Sequence, residues 1–147
     1  MKRWKVYLAG EIHTDWRERI REGVAERSLP VDFTGPVTDH AASDACGTDI
    51  LGAEEQDFWK DHKGARINEI RNRVLLGEAD LLVVRFGEKY RQWNAAFDAG
   101  RAAALGKPYV TLHDPSLTHA LKEIDAGAQA VCSEPEQVVE ILAYLCG

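Results

Sequence analysis

Short apolar runs rich in β-branched residues alternate with helical stretches along this chain, and that alternation constrains the fold more than any single motif. It is clearest over residues 79–108, ADLLVVRFGEKYRQWNAAFDAGRAAALGKP. Leu81, Leu82, Val83 and Val84 read as a strand, and Gly87 breaks the run. An alanine-rich helical stretch over 93–105 then precedes Gly106 and Pro108, the usual punctuation of a helix end. The same unit recurs on either side. Residues 5–9 read as a strand ending at Gly10, and Thr14 or Asp15 can cap a helix through Trp16, Ile20 and Val24 towards Leu29, which Pro30 stops. Residues 31–34 form a second strand. Residues 35–49, GPVTDHAASDACGTD, carry the Gly, Pro, Asp and Ser of a loop. Loops of about a dozen residues or more in compact domains are more often binding loops or lids than idle connections.

Residues 57–61 are ambiguous, but Ile67, Ile70, Val74 and Leu75 recur at helical spacing and predict a helix over about 63–77. Beyond Pro108, residues 109–112 form a fourth strand. Pro115 and Ser116 start a helix over 117–124, and residues 129–132 make a weaker fifth strand. Pro135 opens a terminal helix with an apolar stripe of Val138, Val139, Leu142 and Leu145. Alternation of this kind implies right-handed βαβ crossovers and an α/β fold. The expected architecture is a flavodoxin-like or Rossmann-like three-layer sandwich, a five-stranded parallel sheet in the order 2-1-3-4-5 with helices on both faces. Nothing in the composition divides the 147 residues, so a single domain over 1–147 is predicted.

With 18 basic and 24 acidic residues the net charge is −6, which disfavours nucleic acid and anionic membranes as partners and leaves small molecules. The apolar run near the N-terminus is too short for a signal peptide, no segment approaches transmembrane length, and a cytoplasmic protein is expected. The three cysteines form no CxxC and read as buried thiols. The five histidines form no HExxH, so no metal is assigned. Neither GxGxxG nor GxxxxGK[ST] is present, which disfavours nicotinamide cofactors and ATP hydrolysis, and no cofactor is expected.

In such a sheet the ligand lies beyond the carboxyl ends of the strands, where strand order reverses between strands one and three. This rule selects Gly10, Glu11, His13 and Trp16 after strand one, His40 and Asp44 in the loop after strand two, and Glu88, Tyr90, Trp93 and Asn94 after strand three. They are expected to converge on one cleft. Loop histidines are most often merely solvated, but His13 and His40 both fall at this edge. Trp16, Tyr90 and Trp93 offer flat surfaces for stacking on a base, with core packing as the competing role. For Trp93, four residues before Phe97 on one helix face, core packing is the favoured reading. Asp98 could simply pair with Arg101 on a helix surface. Its alanine-rich surroundings and Asn94 one turn earlier instead allow a carboxylate and an amide to address a sugar together.

YLAGEIH, ADLLVVRFGEKY and NAAFDAGRAAALGKP together resemble the nucleoside 2-deoxyribosyltransferase superfamily. HAASD, ILG, GEKYRQWN and DAG narrow the resemblance to the YtoQ family, and the likeness covers nearly the whole chain. The resemblance implies retaining glycosyl chemistry, in which a carboxylate attacks the anomeric carbon and the sugar passes to another base or to water. Counting back from Gly106 and Lys107 places Asp98 where the superfamily has its nucleophilic glutamate. The superfamily's second acid, eight positions before the aspartate that opens strand three, falls on Asn72, since Asp80 opens that strand. Glu11, His13, Asp44 and Glu88 are the candidates to replace it, and Glu11 stands where the superfamily usually has proline. Arg71 could hold a phosphate or sugar hydroxyl, or be an exposed helix arginine. The implied partner is a nucleoside or nucleotide, handled by a deoxyribosyltransferase or N-glycoside hydrolase, with a non-catalytic nucleotide-binding module as the alternative. Superfamily enzymes are oligomers, so a homo-oligomer is expected; the stripe of the C-terminal helix could serve as a contact, although packing on its own sheet is the commoner use of such a stripe.

Overall fold

The computed structural model describes residues 1–147. Its larger compact unit, residues 1–34 and 79–147, holds the sheet. The strands are β1 (Trp4–Gly10), β2 (Val31–Thr34), β3 (Leu81–Phe86), β4 (Tyr109–His113) and β5 (Ala130–Cys132), all parallel in the order β2-β1-β3-β4-β5. The expected fold class and strand order are therefore those of the protein. Alternation along the strands sorts their side chains onto two faces. Val6, Leu8, Leu81, Val83, Val110 and Leu112 pack with Trp16, Ile20 and Val24 of α1 (Trp16–Glu26) and with Val138, Val139 and Leu142 of the C-terminal helix (Pro135–Cys146). That burial is the apolar core, and truncating a side chain such as Leu142 to alanine costs about 2–5 kcal/mol. The stripe of the C-terminal helix is thus used within the chain.

The other face carries the helix Trp93–Ala104, which turns Ala95, Asp98, Ala99 and Ala102 inward. Spacings of three and four residues put these small side chains on one stripe, and alanine lets the helix backbone lie close to the strands. The helix ends in a Schellman turn: Gly106 has φ +69°, its N–H donates to the Ala103 carbonyl, and the Lys107 N–H donates to the Ala102 carbonyl. After a 3₁₀ turn at Pro115–Leu117 comes a helix at Lys122–Gly127, later than the expected 117–124. Proline and an Asp114 side chain that accepts from the Ser116 amide favour the tight turn first.

The smaller unit, residues 35–78, is a helical hairpin. Its helices, α2 (His40–Leu51) and α3 (Asp57–Glu78), complete the numbering, so that Trp93–Ala104, Lys122–Gly127 and Pro135–Cys146 are α4, α5 and α6. Helix α2 corrects the expected loop. Asp39 caps it by accepting from the Ala42 amide at 3.0 Å, and Gly47, which reads as a breaker, is a packing residue. A Cβ at Gly47 would come within 2.4 Å of the Gly64 amide nitrogen, so only glycine permits this approach of the two helices. Asn68 Nδ2 fastens them by donating to the Ser43 carbonyl at 3.0 Å. The apolar repeat that predicts α3 does mark a helix, but Ile70 and Val74 lie exposed.

Candidate functional site

Strand β1 ends in a turn that only glycine can make. Gly10 has φ +111°, and a Cβ there would stand 2.1 Å from the Arg85 carbonyl oxygen of the neighbouring strand. The Glu11 amide then donates to that same carbonyl at 3.1 Å, extending the ladder by one residue. Glu11 is only 4% exposed, and both its carboxylate oxygens are occupied. Oε1 accepts from the His13 and Thr14 amides, the latter at 2.7 Å, and Oε2 accepts from the Thr14 hydroxyl at 2.6 Å. Burial pushes this carboxyl up, but the Thr14 hydroxyl, the two amides and the Arg85 charge outweigh it and hold the group below the usual carboxylate range. The start of α1 is therefore shaped by Glu11. Asp15 occupies the cap position and makes no side-chain cap bond.

Beneath this turn lies Arg17, a buried guanidinium that the sequence reading did not single out. It donates to the carbonyls of Leu8 at 3.0 Å, Gly10 at 3.2 Å and Glu11 at 2.6 Å, and it lies 4.4 Å from the Trp16 ring. Burial pulls its pKa down to about 10, so it stays charged at neutral pH. Trp16 itself sits in the core and donates its indole N–H to the Glu11 carbonyl at 2.8 Å. Core packing, the competing role for this ring, is the one it fills.

The β3–α4 loop meets the β1–α1 loop at two places. The His13 and Tyr90 rings are 4.8 Å apart between centroids, tilted by 49°, and both residues are exposed. Gly87 lies against the Glu11 side chain, and its amide donates to Gln92 Oε1 at 2.9 Å just before α4. Arg85 was also missed by sequence reading. It is the penultimate residue of β3, donates to the Phe86 carbonyl and has Nη2 3.7 Å from Glu88 Oε1. An arginine inside an otherwise apolar, doubly covered strand is the signal that could have drawn attention to it.

Within the larger unit the structure thus gathers Gly10, Glu11, His13, Glu88 and Tyr90 at the carboxyl edge of the sheet. Asn94 is exposed in the first turn of α4, and Asp98, 9% exposed, lies on its inward stripe. Trp93 departs from its favoured reading. It is 73% exposed, because Ala95, Ala99 and Ala102 already fill the inner face of the helix. In the smaller unit, His40 and Asp44 stand one turn apart on α2, Nε2 to Oδ2 at 3.3 Å, both exposed and on a helix in place of the expected loop. Arg71 is exposed on α3 and Asn72 is half-buried. No group of three or more His, Cys, Asp or Glu is arranged to hold a metal ion, and no helix is long and apolar enough to cross a membrane.

Comparison with known proteins adds the following. The family described as nucleoside 2-deoxyribosyltransferase YtoQ matches residues 7–146. The uncharacterized protein YtoQ of Bacillus subtilis (strain 168) is 44% identical over 140 residues, 95% of each chain. Among solved structures, a conserved protein from Enterococcus faecalis V583 superposes with a TM-score of 0.57 at 16% identity, covering 98% of this chain and 99% of that one. A 2-deoxyribosyltransferase from Bacillus psychrosaccharolyticus superposes with a TM-score of 0.54 at 16% identity, covering 92% and 90%. At that identity the two superpositions establish a shared fold.

Proposed function

Because this chain belongs to the nucleoside 2-deoxyribosyltransferase YtoQ family, we propose that it breaks or exchanges the N-glycosidic bond of a nucleoside or nucleotide, with Asp98 as the nucleophile. The observation that carries the reading is the placing of this carboxylate. It is nine-tenths buried on the sheet-facing stripe of α4, in the helix that starts at the ligand edge. A carboxylate there can attack the anomeric carbon and hold the sugar as an ester until water or a second base takes it. The side chain is one methylene shorter than the superfamily's glutamate, and near-attack geometry is demanding at about the ångström level, so the sugar must sit closer to α4 than in the glutamate enzymes. Asn94 orients the sugar, and Tyr90 supports the base. The chemistry calls for no cofactor.

Incubation with a panel of nucleosides and deoxynucleotides, with and without an acceptor base, tests this directly. Free or exchanged base is expected, and Asp98→Asn should lower kcat on the order of 10⁴-fold or more. Full turnover by that variant overturns the nucleophile. Tight nucleotide binding by calorimetry with no turnover across the panel replaces the enzyme reading with that of a binding module.

The active form is a homo-oligomer in this reading. Support comes from apolar side chains left exposed in each unit: Trp93, Phe97 and Leu105 on or just after α4, and Phe58, Trp59, Ile70 and Val74 on α3.

A further inference from the structure

Cleavage of an N-glycosidic bond leaves the bonding electron pair on the base, and a base that departs uncharged must receive a proton as the bond breaks. Glu11, Asp44, Glu88 and His13 are the residue types at hand, and the structure separates them. Glu11 accepts at both oxygens and is held below the usual carboxylate range, so it has neither a proton nor a free oxygen to offer. Glu88 is turned to the Arg85 guanidinium. Asp44 is paired with His40 one turn away on α2. His13 differs from all three. It is exposed at the carboxyl end of β1, its backbone is fixed by the Glu11 carboxylate, and its ring rests against Tyr90 with no protein group hydrogen-bonded to its nitrogens.

We infer that His13 is the proton donor and acceptor of the reaction proposed above, and the inference rests on that reading. In the first half, an Asp98 oxygen bonds to the anomeric carbon and the carbon–nitrogen bond breaks. Its electron pair goes to the base, and the His13 imidazolium gives the base one proton. In the second half, the oxygen of water or the nitrogen of an acceptor base bonds to the same carbon, and the ester to Asp98 breaks. The neutral imidazole takes the proton that the incoming group loses. Glu11 is then a positioning residue acting through the His13 amide, and Tyr90 keeps the imidazole beside the base.

Substrates whose base leaves without a proton test the assignment. Each nucleoside that turns over is paired with such an analogue: the N7-methylated form for a purine, the 5-nitro form for a pyrimidine. His13→Gln keeps the amide that Glu11 holds. It should lower kcat/KM, which reports the first half alone, about 10²–10³-fold on the ordinary nucleoside and change kcat/KM of the activated one by less than about threefold. Equal loss on both substrates, or loss on neither, overturns the role of His13. Asp98→Asn run in parallel should lose both substrates. If it retains them while His13→Gln shows the selective loss, the nucleophile is wrong and the proton donor stands. Absence of turnover by the wild-type protein overturns both.

Discussion

Glu11 is a carboxylate that three protein donors need in its ionised form, and its stability contribution has a definite sign with pH. Its folded-state pKa lies below the reference value of 4.5, so the contribution is fully present above that value and is lost as pH falls through the lower folded-state value. Glu11→Gln should therefore cost about 1 kcal/mol at neutral pH and show a shallower loss of stability in acid, read by urea unfolding at a series of pH values. The same residue marks how far the sequence could be read. The turn after β1 was legible as a turn, since glycine after an apolar strand announces it. That Glu11 would be buried and saturated was not legible, because its partners are two backbone amides and a hydroxyl created by the turn itself. Arg17 and Arg85 escaped for a related reason. A charged residue in an amphipathic pattern reads as surface, and nothing local states that three carbonyls wait beneath it.

At the scale of elements, α5 is fastened to β4 by polar groups, and none of its own residues is buried. Alternate residues of β4 reach it in turn. The Tyr109 hydroxyl donates to the Ile124 carbonyl at 2.6 Å, the Thr111 hydroxyl donates to Asp125 Oδ1 at 2.7 Å, and His113 Nε2 meets Asp125 Oδ2 at 2.8 Å. Asp125→Ala leaves the Thr111 hydroxyl and the Nε2 of His113 without their partner, while His113 Nδ1 keeps the Asp114 carbonyl, and should cost about 1–3 kcal/mol. Hydrogen exchange should quicken in α5 while amides of α1 and α6 keep their protection, and a uniform change across the molecule would contradict this. Such a helix is hard to place from its sequence, since it shows no apolar stripe, and the expected 117–124 missed its start. The strands were legible because each is a short apolar run closed by Gly, Pro or a polar turn, and right-handed crossovers then leave few sheet orders. Helix α2 was lost to its own composition. His40, Ser43, Asp44, Thr48 and Gly47 read as loop residues, and the reason for Gly47 lies on a different helix, at Gly64.

For the whole molecule, the exposed apolar side chains of α3 and α4 predict self-association. Static light scattering should give a mass at least twice that of the chain, and Ile70→Glu and Phe97→Glu, one in each unit, should show which face is responsible by returning the protein to monomer. A monomeric wild-type protein at micromolar concentration would remove the oligomer from the proposed function. The stripe of the C-terminal helix fills the commoner of its two expected roles, as Val138, Val139 and Leu142 are spent on the core. The grip of Arg17 has a kinetic side as well. Its bonds to the Leu8, Gly10 and Glu11 carbonyls close loops of only nine, seven and six residues, so the β1–α1 corner can assemble as soon as that stretch leaves the ribosome. Asp80 Oδ2 meets the Lys5 amide across 75 residues, and the pairing of β1 with β3 must wait for that far larger closure. The corner that carries His13 thus closes over short loops, and the sheet that sets β1 beside β3 closes over the long one.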